Sequence, residues 1–79
     1  MMYIIIFQTD ISTQEQSLYL QTMLGKLKGI LTSSFDLDDC DRILRIVSSD
    51  ANPEVICNLF HRQGFYCEIM ESFVFQEQA

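Results

Sequence analysis

Residues 2–7 read Met-Tyr-Ile-Ile-Ile-Phe, and this unbroken apolar run decides the fold. A run this short and this rich in β-branched Ile is typical of a central strand that is buried on both faces or nearly so. It ends at the polar residues Gln8, Thr9 and Asp10, and it is far shorter than the roughly 20 apolar residues that cross a bilayer. The stretch therefore predicts a central sheet strand rather than a transmembrane helix.

The next segment predicts an amphipathic helix that covers one side of this strand. Ser12 and Glu15 have the spacing of a capping box, so we expect the helix to begin at Ser12. At about 100° per residue, four apolar side chains fall in one stripe: Leu20, Met23, Leu24 and Leu27. Leu18 lies on the opposite side, where we expect it to be exposed. Gly29 is placed to end the helix as a left-handed cap.

The rest of the chain predicts a hairpin, a second helix and a last strand. Apolar and polar residues alternate weakly in residues 30–37, which predicts an edge strand. Residues 38–41 predict an acidic turn, and residues 42–48 predict the third strand. Asn52-Pro53 is typical of a helix N-cap followed by the first helical residue, and Gly64 is placed to end that helix. The last strand is expected to begin at residue 65, and the tail after residue 75 is expected to be loose. By period two, one face of this strand is expected to carry Phe65, Cys67, Ile69, Phe73 and Phe75.

The order of these elements, β-α-β-β-α-β in 79 residues, fits one domain. Two right-handed β-α-β crossovers on one face of a four-stranded antiparallel sheet give the ferredoxin-like two-layer sandwich, an α+β fold. No internal repeat, linker or low-complexity segment divides the sequence. We therefore expect a single ferredoxin-like domain over residues 1–79, with both helices on one sheet face and the other face open.

Charge and cysteine content narrow the classes of partner. Eleven acidic residues against five basic ones give a net charge of -6, which disfavours nucleic acids and anionic membrane surfaces. The three cysteines, Cys40, Cys57 and Cys67, are an odd number without close spacing, unlike the disulfide framework of a small secreted domain. Because the sequence has no signal-peptide pattern either, we expect a cytoplasmic protein with reduced thiols.

The sequence shows no residue pattern typical of catalysis or nucleotide binding. His61 is the single histidine, and it lies about 140° around the second helix from the buried stripe, so we expect it to be solvated. The acidic run at residues 36–41 lacks the Gly and Glu of a calcium loop, which leaves a polar turn or a weak hard-cation site. The glycines at 25, 29 and 64 are too far apart for a phosphate loop. We predict no enzyme activity, no catalytic residue and no cofactor.

Four short motifs occur in a familiar order: Lys28-Gly29-Ile30, Phe35-Asp36-Leu37, Asn52-Pro53-Glu54 and Gly64-Phe65. They resemble the Pro-Gly-Val, Val-Asp-Leu, Asp-Pro-Glu and Gly-Tyr motifs of the heavy-metal-associated domain family, the ferredoxin-like modules of copper chaperones and metal-transporting ATPases. The resemblance extends to about residue 71 and implies the same fold. It aligns residues 10–16 with that family's Gly-Met-Thr-Cys-x-x-Cys loop, which places Ile11 at the anchoring Met and Thr13 and Gln16 at the two metal-binding cysteines.

This alignment implies a scaffold without the family's usual metal site. Soft ions such as Cu(I) require thiolates, whereas Thr13 and Gln16 offer a hydroxyl and an amide. We therefore expect no metal partner at this loop and predict a non-enzymatic protein-interaction or regulatory module, which binds a protein or a second copy of itself. The candidate interaction surface comprises Tyr3, Leu18, Tyr66, Met70 and Val74.

The alternative function is soft-metal binding or trafficking through the cysteines that lie outside this loop. We expect Cys57 and Cys67 to approach each other, because one borders the buried face of the second helix and the other lies on the inward face of the next strand. The usual role of such free cysteines is that of a small buried hydrophobe. Cys40 is expected to be exposed in the acidic turn, where neighbouring carboxylates disfavour its thiolate.

Overall fold

Four strands and two helices follow each other in the predicted order in the computed structural model of the protein, which describes residues 2–50 and 52–75. The elements are β1 Met2–Thr9, α1 Gln14–Leu24, β2 Ile30–Asp36, β3 Ile43–Ser48, α2 Pro53–Arg62 and β4 Cys67–Phe75. The expected loose tail after Phe75 lies outside the described residues. In the part of the chain that is described, no helix is long and apolar enough to cross a membrane.

The four strands form one antiparallel sheet in the order β2-β3-β1-β4. The two strands that flank a helix along the chain are not neighbours in the sheet. β3 lies between β1 and β2, and β1 lies between β3 and β4. This arrangement confirms the ferredoxin-like βαββαβ fold, with β1 in the centre as its apolar run predicts.

Alternation along the two central strands decides which sheet face the helices cover. Ile5 and Phe7 in β1 and Leu44 and Ile46 in β3 point to the same side and are buried. They form one core cluster with four buried helical residues, Leu20 and Leu24 of α1 and Ile56 and Phe60 of α2. Because each fully buried apolar side chain contributes about 1.5–3 kcal/mol, this cluster is the main source of stability.

The boundaries of α1 differ from the prediction at both ends. The helix begins at Gln14, and its N-cap is Thr13, one residue after the predicted cap Ser12. The reason is that Thr13 and Gln16 form the capping box in place of Ser12 and Glu15. It ends at Leu24 with Gly25 as C-cap, well before Gly29. Gly29 has the expected positive φ of 92°, but it precedes β2, where its carbonyl accepts a hydrogen bond from the Ser49 N–H at 2.8 Å. The second helix ends as predicted, with Gly64 at φ 85°.

An irregularity in β4 corrects the predicted face of the last strand. Ile6 pairs with Glu71 and Phe7 pairs with Ile69, so Met70 is an extra residue in β4. An extra residue reverses the alternation that follows it, because side chains point to opposite faces with a period of two. Ile69 therefore lies on the helix side of the sheet and Phe73 on the open side, instead of sharing one face.

Candidate functional site

The loop between β1 and α1 closes on itself through the two residues that the resemblance aligns with metal-binding cysteines. The Gln16 backbone N–H donates to Thr13 Oγ1 at 3.1 Å, and the Thr13 backbone N–H donates to Gln16 Oε1 at 3.3 Å. These reciprocal bonds are a capping box, which satisfies two backbone donors that the start of a helix leaves without helical partners. Thr13 and Gln16 thus hold the helix start and bind each other.

The neighbouring residues tighten the same loop. Ser12 donates to Gln16 Oε1 twice, from its backbone N–H at 2.9 Å and from its hydroxyl at 3.2 Å. Ile11 is fully buried and so anchors the loop in the core at the position aligned with the family's Met. Asp10 accepts a hydrogen bond from the Tyr66 N–H at 2.9 Å, which ties the loop to the start of β4. At the two aligned positions the loop therefore presents neutral oxygen atoms that already accept hydrogen bonds.

Two thiols meet where α2 packs against β4. The Cys57 thiol donates to Cys67 Sγ, with 3.6 Å between the sulfur atoms, and this contact confirms the predicted approach. Both cysteines are free; Cys57 is half-buried and Cys67 is 4% exposed. Burial raises the pKa of the Cys67 thiol far above its ordinary value, and the adjacent Cys57 raises it further. The Cys67 thiol is therefore protonated at neutral pH.

His61 contacts the strand that carries one of these thiols. The side chain is exposed, as predicted, but its Nε2 is 3.3 Å from the backbone carbonyl oxygen of Cys67. His61 follows Cys57 by four residues, so the two side chains lie one above the other on α2. The sequence prediction for His61 used only its angle from the buried stripe of α2. The four-residue spacing between Cys57 and His61 is the sequence signal that places the two side chains on the same face of this helix.

The acidic turn holds the third cysteine. Ligand atoms of Asp39, Cys40 and Asp41 lie within 4.8 Å of one another, and Cys40 is exposed as expected. The carboxylates already have protein partners: Asp39 Oδ1 accepts from the Asp41 N–H at 2.8 Å, and Asp41 Oδ1 accepts from Gln8 Nε2 at 3.2 Å. These bonds support the polar-turn interpretation over a cation site.

The candidate interaction residues do not share one surface. Tyr3 packs against the core on the helix side, and Val74, directly opposite it in β4, lies on the same side. Val74 lies there because Met70 reverses the alternation of β4, whereas Tyr3 lies there because it shares a face with the buried Ile5 and Phe7 of β1. Leu18 is exposed on α1, Met70 is exposed at the irregularity itself, and Tyr66 precedes β4 with its hydroxyl donating to Glu68 Oε2.

The open sheet face carries a different set of side chains, which alternation in each strand leaves on the side away from the helices. In one row across the sheet, Ile4 of β1 lies between Val47 of β3 and Phe73 of β4. In the next row, Ile6 lies between Arg45 of β3 and Glu71 of β4. Phe73 is 50% exposed and the three aliphatic residues are half-buried. We call these six residues the open-face patch.

Comparison with known proteins shows similarity in structure but not in sequence. No protein-family model and no curated protein matches the chain. The yeast copper transporter domain Ccc2a, solved in apo and Cu(I)-loaded states, is 18% identical, with a TM-score of 0.76 over 89% of this chain and 97% of that domain. The CsoZ metallochaperone is also 18% identical, with a TM-score of 0.72 over 90% of this chain and all of that chain (100%). The chain thus has the fold of heavy-metal-associated-like domains.

Proposed function

We propose that this chain is a non-enzymatic, cytoplasmic protein-interaction module on a heavy-metal-associated-like scaffold, and that its partner is a second copy of itself. The observation that carries the proposal is the open-face patch, in which an apolar row is flanked by one positive and one negative side chain. An exposed apolar surface with a charged rim is typical of protein interfaces. Reduced thiols at all three cysteines suit the reducing cytoplasm.

The two charges of the patch are arranged for pairing with an identical surface. Arg45 and Glu71 lie on opposite sides of Ile6, in the strands that flank β1. When two open faces are stacked about a two-fold axis parallel to β1, β3 of one copy lies over β4 of the other. Arg45 of each copy then faces Glu71 of the other copy, and the Ile6 side chains meet at the axis. Such self-complementarity is what a two-fold interface requires.

The apolar row follows the same symmetry. Val47 of one copy lies over Phe73 of the other, and the two Ile4 side chains meet at the axis, so apolar groups face apolar groups throughout the row. Faces of stacked sheets pack about 10 Å apart with interdigitating side chains, which suits residues of this size. The partner therefore supplies the apolar cover that the helices supply on the other face.

The loop before α1 supports a function other than metal binding at the family's usual position. Thr13 and Gln16 provide neutral oxygen atoms, which are weak ligands for soft ions, and their hydrogen bonds to each other and to Ser12 engage those atoms. The sequence has no cysteine in residues 10–16, so the loop has no thiolate to offer. The loop therefore favours the interaction hypothesis over soft-metal binding at this position.

Sedimentation velocity over a concentration series of the reduced full chain tests the proposal. We expect a concentration-dependent dimer that Arg45→Glu weakens, because like charges then face each other, and that the double variant Arg45→Glu, Glu71→Arg restores. Arg62→Glu changes the net charge by the same amount as Arg45→Glu but replaces an exposed residue of α2, away from the open-face patch, so it should leave the dimer unchanged. A monomer at all concentrations, or failure of the double variant to restore the dimer, would refute the proposal.

A second candidate function is soft-metal binding through cysteines outside the loop. One observation favours it: the sulfur atoms of Cys57 and Cys67 lie 3.6 Å apart, although ten residues separate them in the sequence.

A further inference from the structure

We infer that Cys57, Cys67 and His61 form a binding site for a single Zn(II) ion where α2 meets β4. The inference rests on the second candidate function, and it names the ligands and the ion. It is carried by three observations: the contact between the two sulfur atoms, the imidazole held next to the same strand, and the partial exposure of Cys57.

The distance between the sulfur atoms fits tetrahedral coordination. Zn–S bonds are about 2.3 Å long, so two thiolates on a tetrahedral zinc ion stand about 3.8 Å apart. The sulfur atoms of Cys57 and Cys67 are 3.6 Å apart, so they need to separate by only a few tenths of an ångström. Thiolates on opposite sides of an ion, at the same bond length, would stand about 4.6 Å apart. The pair is thus spaced for a tetrahedral ion rather than a linear one.

His61 is placed to supply the third ligand. It lies one helical turn after Cys57, and its Nε2 is 3.3 Å from the carbonyl oxygen of Cys67. A metal-bound histidine commonly donates its other ring N–H to a backbone carbonyl, which fixes the orientation of the ring. His61 does not yet lie within 4.8 Å of both sulfur atoms, so the ring has to rotate to bring Nδ1 to the ion, after which Nε2 can donate to this carbonyl. The exposed ring has room for that rotation.

Charge and access both favour a divalent ion at this junction. Two thiolates neutralise Zn(II), whereas a monovalent ion would leave a net negative charge next to the buried Cys67, which is costly away from water. Cys57 is half-buried and His61 is exposed, so the ion can enter from the solvent side and keep one water ligand. Two Cys ligands, one His ligand and a water match a known class of zinc site.

Titration of the reduced full chain with Co(II), followed by displacement with Zn(II), tests the site. We expect one ion per chain and a sulfur-to-cobalt charge-transfer band. Cys57→Ala should lower the affinity by more than about 100-fold, because loss of even an outer-shell partner costs about 10- to 100-fold. His61→Ala should lower it by at least about 10-fold.

Two matched controls separate this site from the acidic turn and from general effects of substitution on α2. Cys40→Ala removes the thiol that lies between Asp39 and Asp41 in the acidic turn, and it should leave the affinity for the metal ion unchanged. Arg62→Ala changes the exposed residue next to His61 and should also have no effect. Loss of binding in Cys40→Ala, or retention of full affinity in Cys57→Ala, would overturn the inference.

A second measurement uses the unmodified chain and does not depend on the folding of a core variant. Alkylation by iodoacetamide, with and without Zn(II), is followed for each cysteine by peptide mass spectrometry. Zinc should slow alkylation of Cys57 by at least about 10-fold, because a coordinated thiolate is no longer free to react, and should leave Cys40 unchanged. Equal rates at Cys57 with and without zinc would overturn the inference. The open-face patch shares no residue with this site, so the dimer experiment is decided independently.

Discussion

Removal of both capping-box side chains, in the double variant Thr13→Ala, Gln16→Ala, tests whether the loop before α1 is held by its own hydrogen bonds. Thr13 Oγ1 accepts one hydrogen bond and Gln16 Oε1 accepts three, one from Thr13 and two from Ser12. All four involve exposed groups, so water replaces part of what each bond contributes. The loss should appear as reduced stability, with the fold retained.

The expected magnitude follows from these contacts. Loss of a Thr N-cap costs about 1 kcal/mol, and loss of the Gln16 acceptor costs about 1 kcal/mol more, since each net hydrogen bond contributes about 0.5–1.5 kcal/mol. Both bonds hold the same start of α1, each from one residue's backbone N–H to the other's side chain, so the double variant should lose about 0.5 kcal/mol less than the sum of the single variants. We expect a total near 1.5 kcal/mol and a fall in Tm of about 6–12 °C for a domain of this size.

Urea denaturation followed by circular dichroism, on the wild type, both single variants and the double variant, measures these values. Gln14→Ala is the matched control, because Gln14 is an exposed residue of the same first turn whose backbone carbonyl, not its side chain, accepts the Ser17 hydroxyl. A double variant within about 0.3 kcal/mol of the wild type, or strictly additive single variants, would refute the conclusion that Thr13 and Gln16 hold the loop by binding each other.

Three further predictions concern metal affinity, pH dependence and two glycines. The double variant Thr13→Cys, Gln16→Cys should gain Cu(I) affinity over wild type in a chelator competition, since it places two thiolates one helical turn apart; no gain would contradict the alignment of this loop. Burial raises the pKa of Cys67 above its ordinary 9.0, so above pH 9 the unfolded chain binds fewer protons than the folded chain. The free energy of unfolding should therefore fall by about 1.4 kcal/mol per pH unit. Urea denaturation of Cys67→Ala should lack this slope. Gly29→Ala and Gly64→Ala should each lower the free energy of unfolding by about 1–2 kcal/mol, because both glycines have positive φ. Thermal unfolding should show the larger loss of stability for Gly29→Ala. The added Cβ would lie 3.1 Å from a carboxylate oxygen at Gly29, whereas nothing lies within 4 Å at Gly64.

The sequence predicted the features that depend on local pattern. The apolar run at 2–7 predicted the central strand, Asn52-Pro53 predicted the start of α2, and Gly64 predicted its end. These signals are short in range, because a cap, a left-handed glycine or an apolar run depends on a few neighbouring residues. The element order then allowed few topologies, and the ferredoxin-like sheet is among the simplest of them.

Features that depend on pairing between distant residues required the tertiary structure. The competition between Ser12 and Thr13 for the N-cap was decided by the Gln16 side chain, which accepts hydrogen bonds from both residues. The extra residue Met70 in β4 appears only in its register with β1, and it moves Phe73 to the open face and Val74 to the helix side. Period-two reasoning cannot detect such a shift, since an irregularity is a property of two paired strands and not of one.

The sequence by itself determined the fold, the placement of Thr13 and Gln16 at the start of α1, and the approach of Cys57 to Cys67. Only the tertiary structure decided that Thr13 and Gln16 bind each other, that His61 contacts the Cys67 carbonyl, and that Arg45 and Glu71 lie on either side of Ile6 in the open-face patch. The physical reason is range: helices, strands and turns follow from neighbouring residues, whereas a site is built from side chains that chain folding brings together from separate elements.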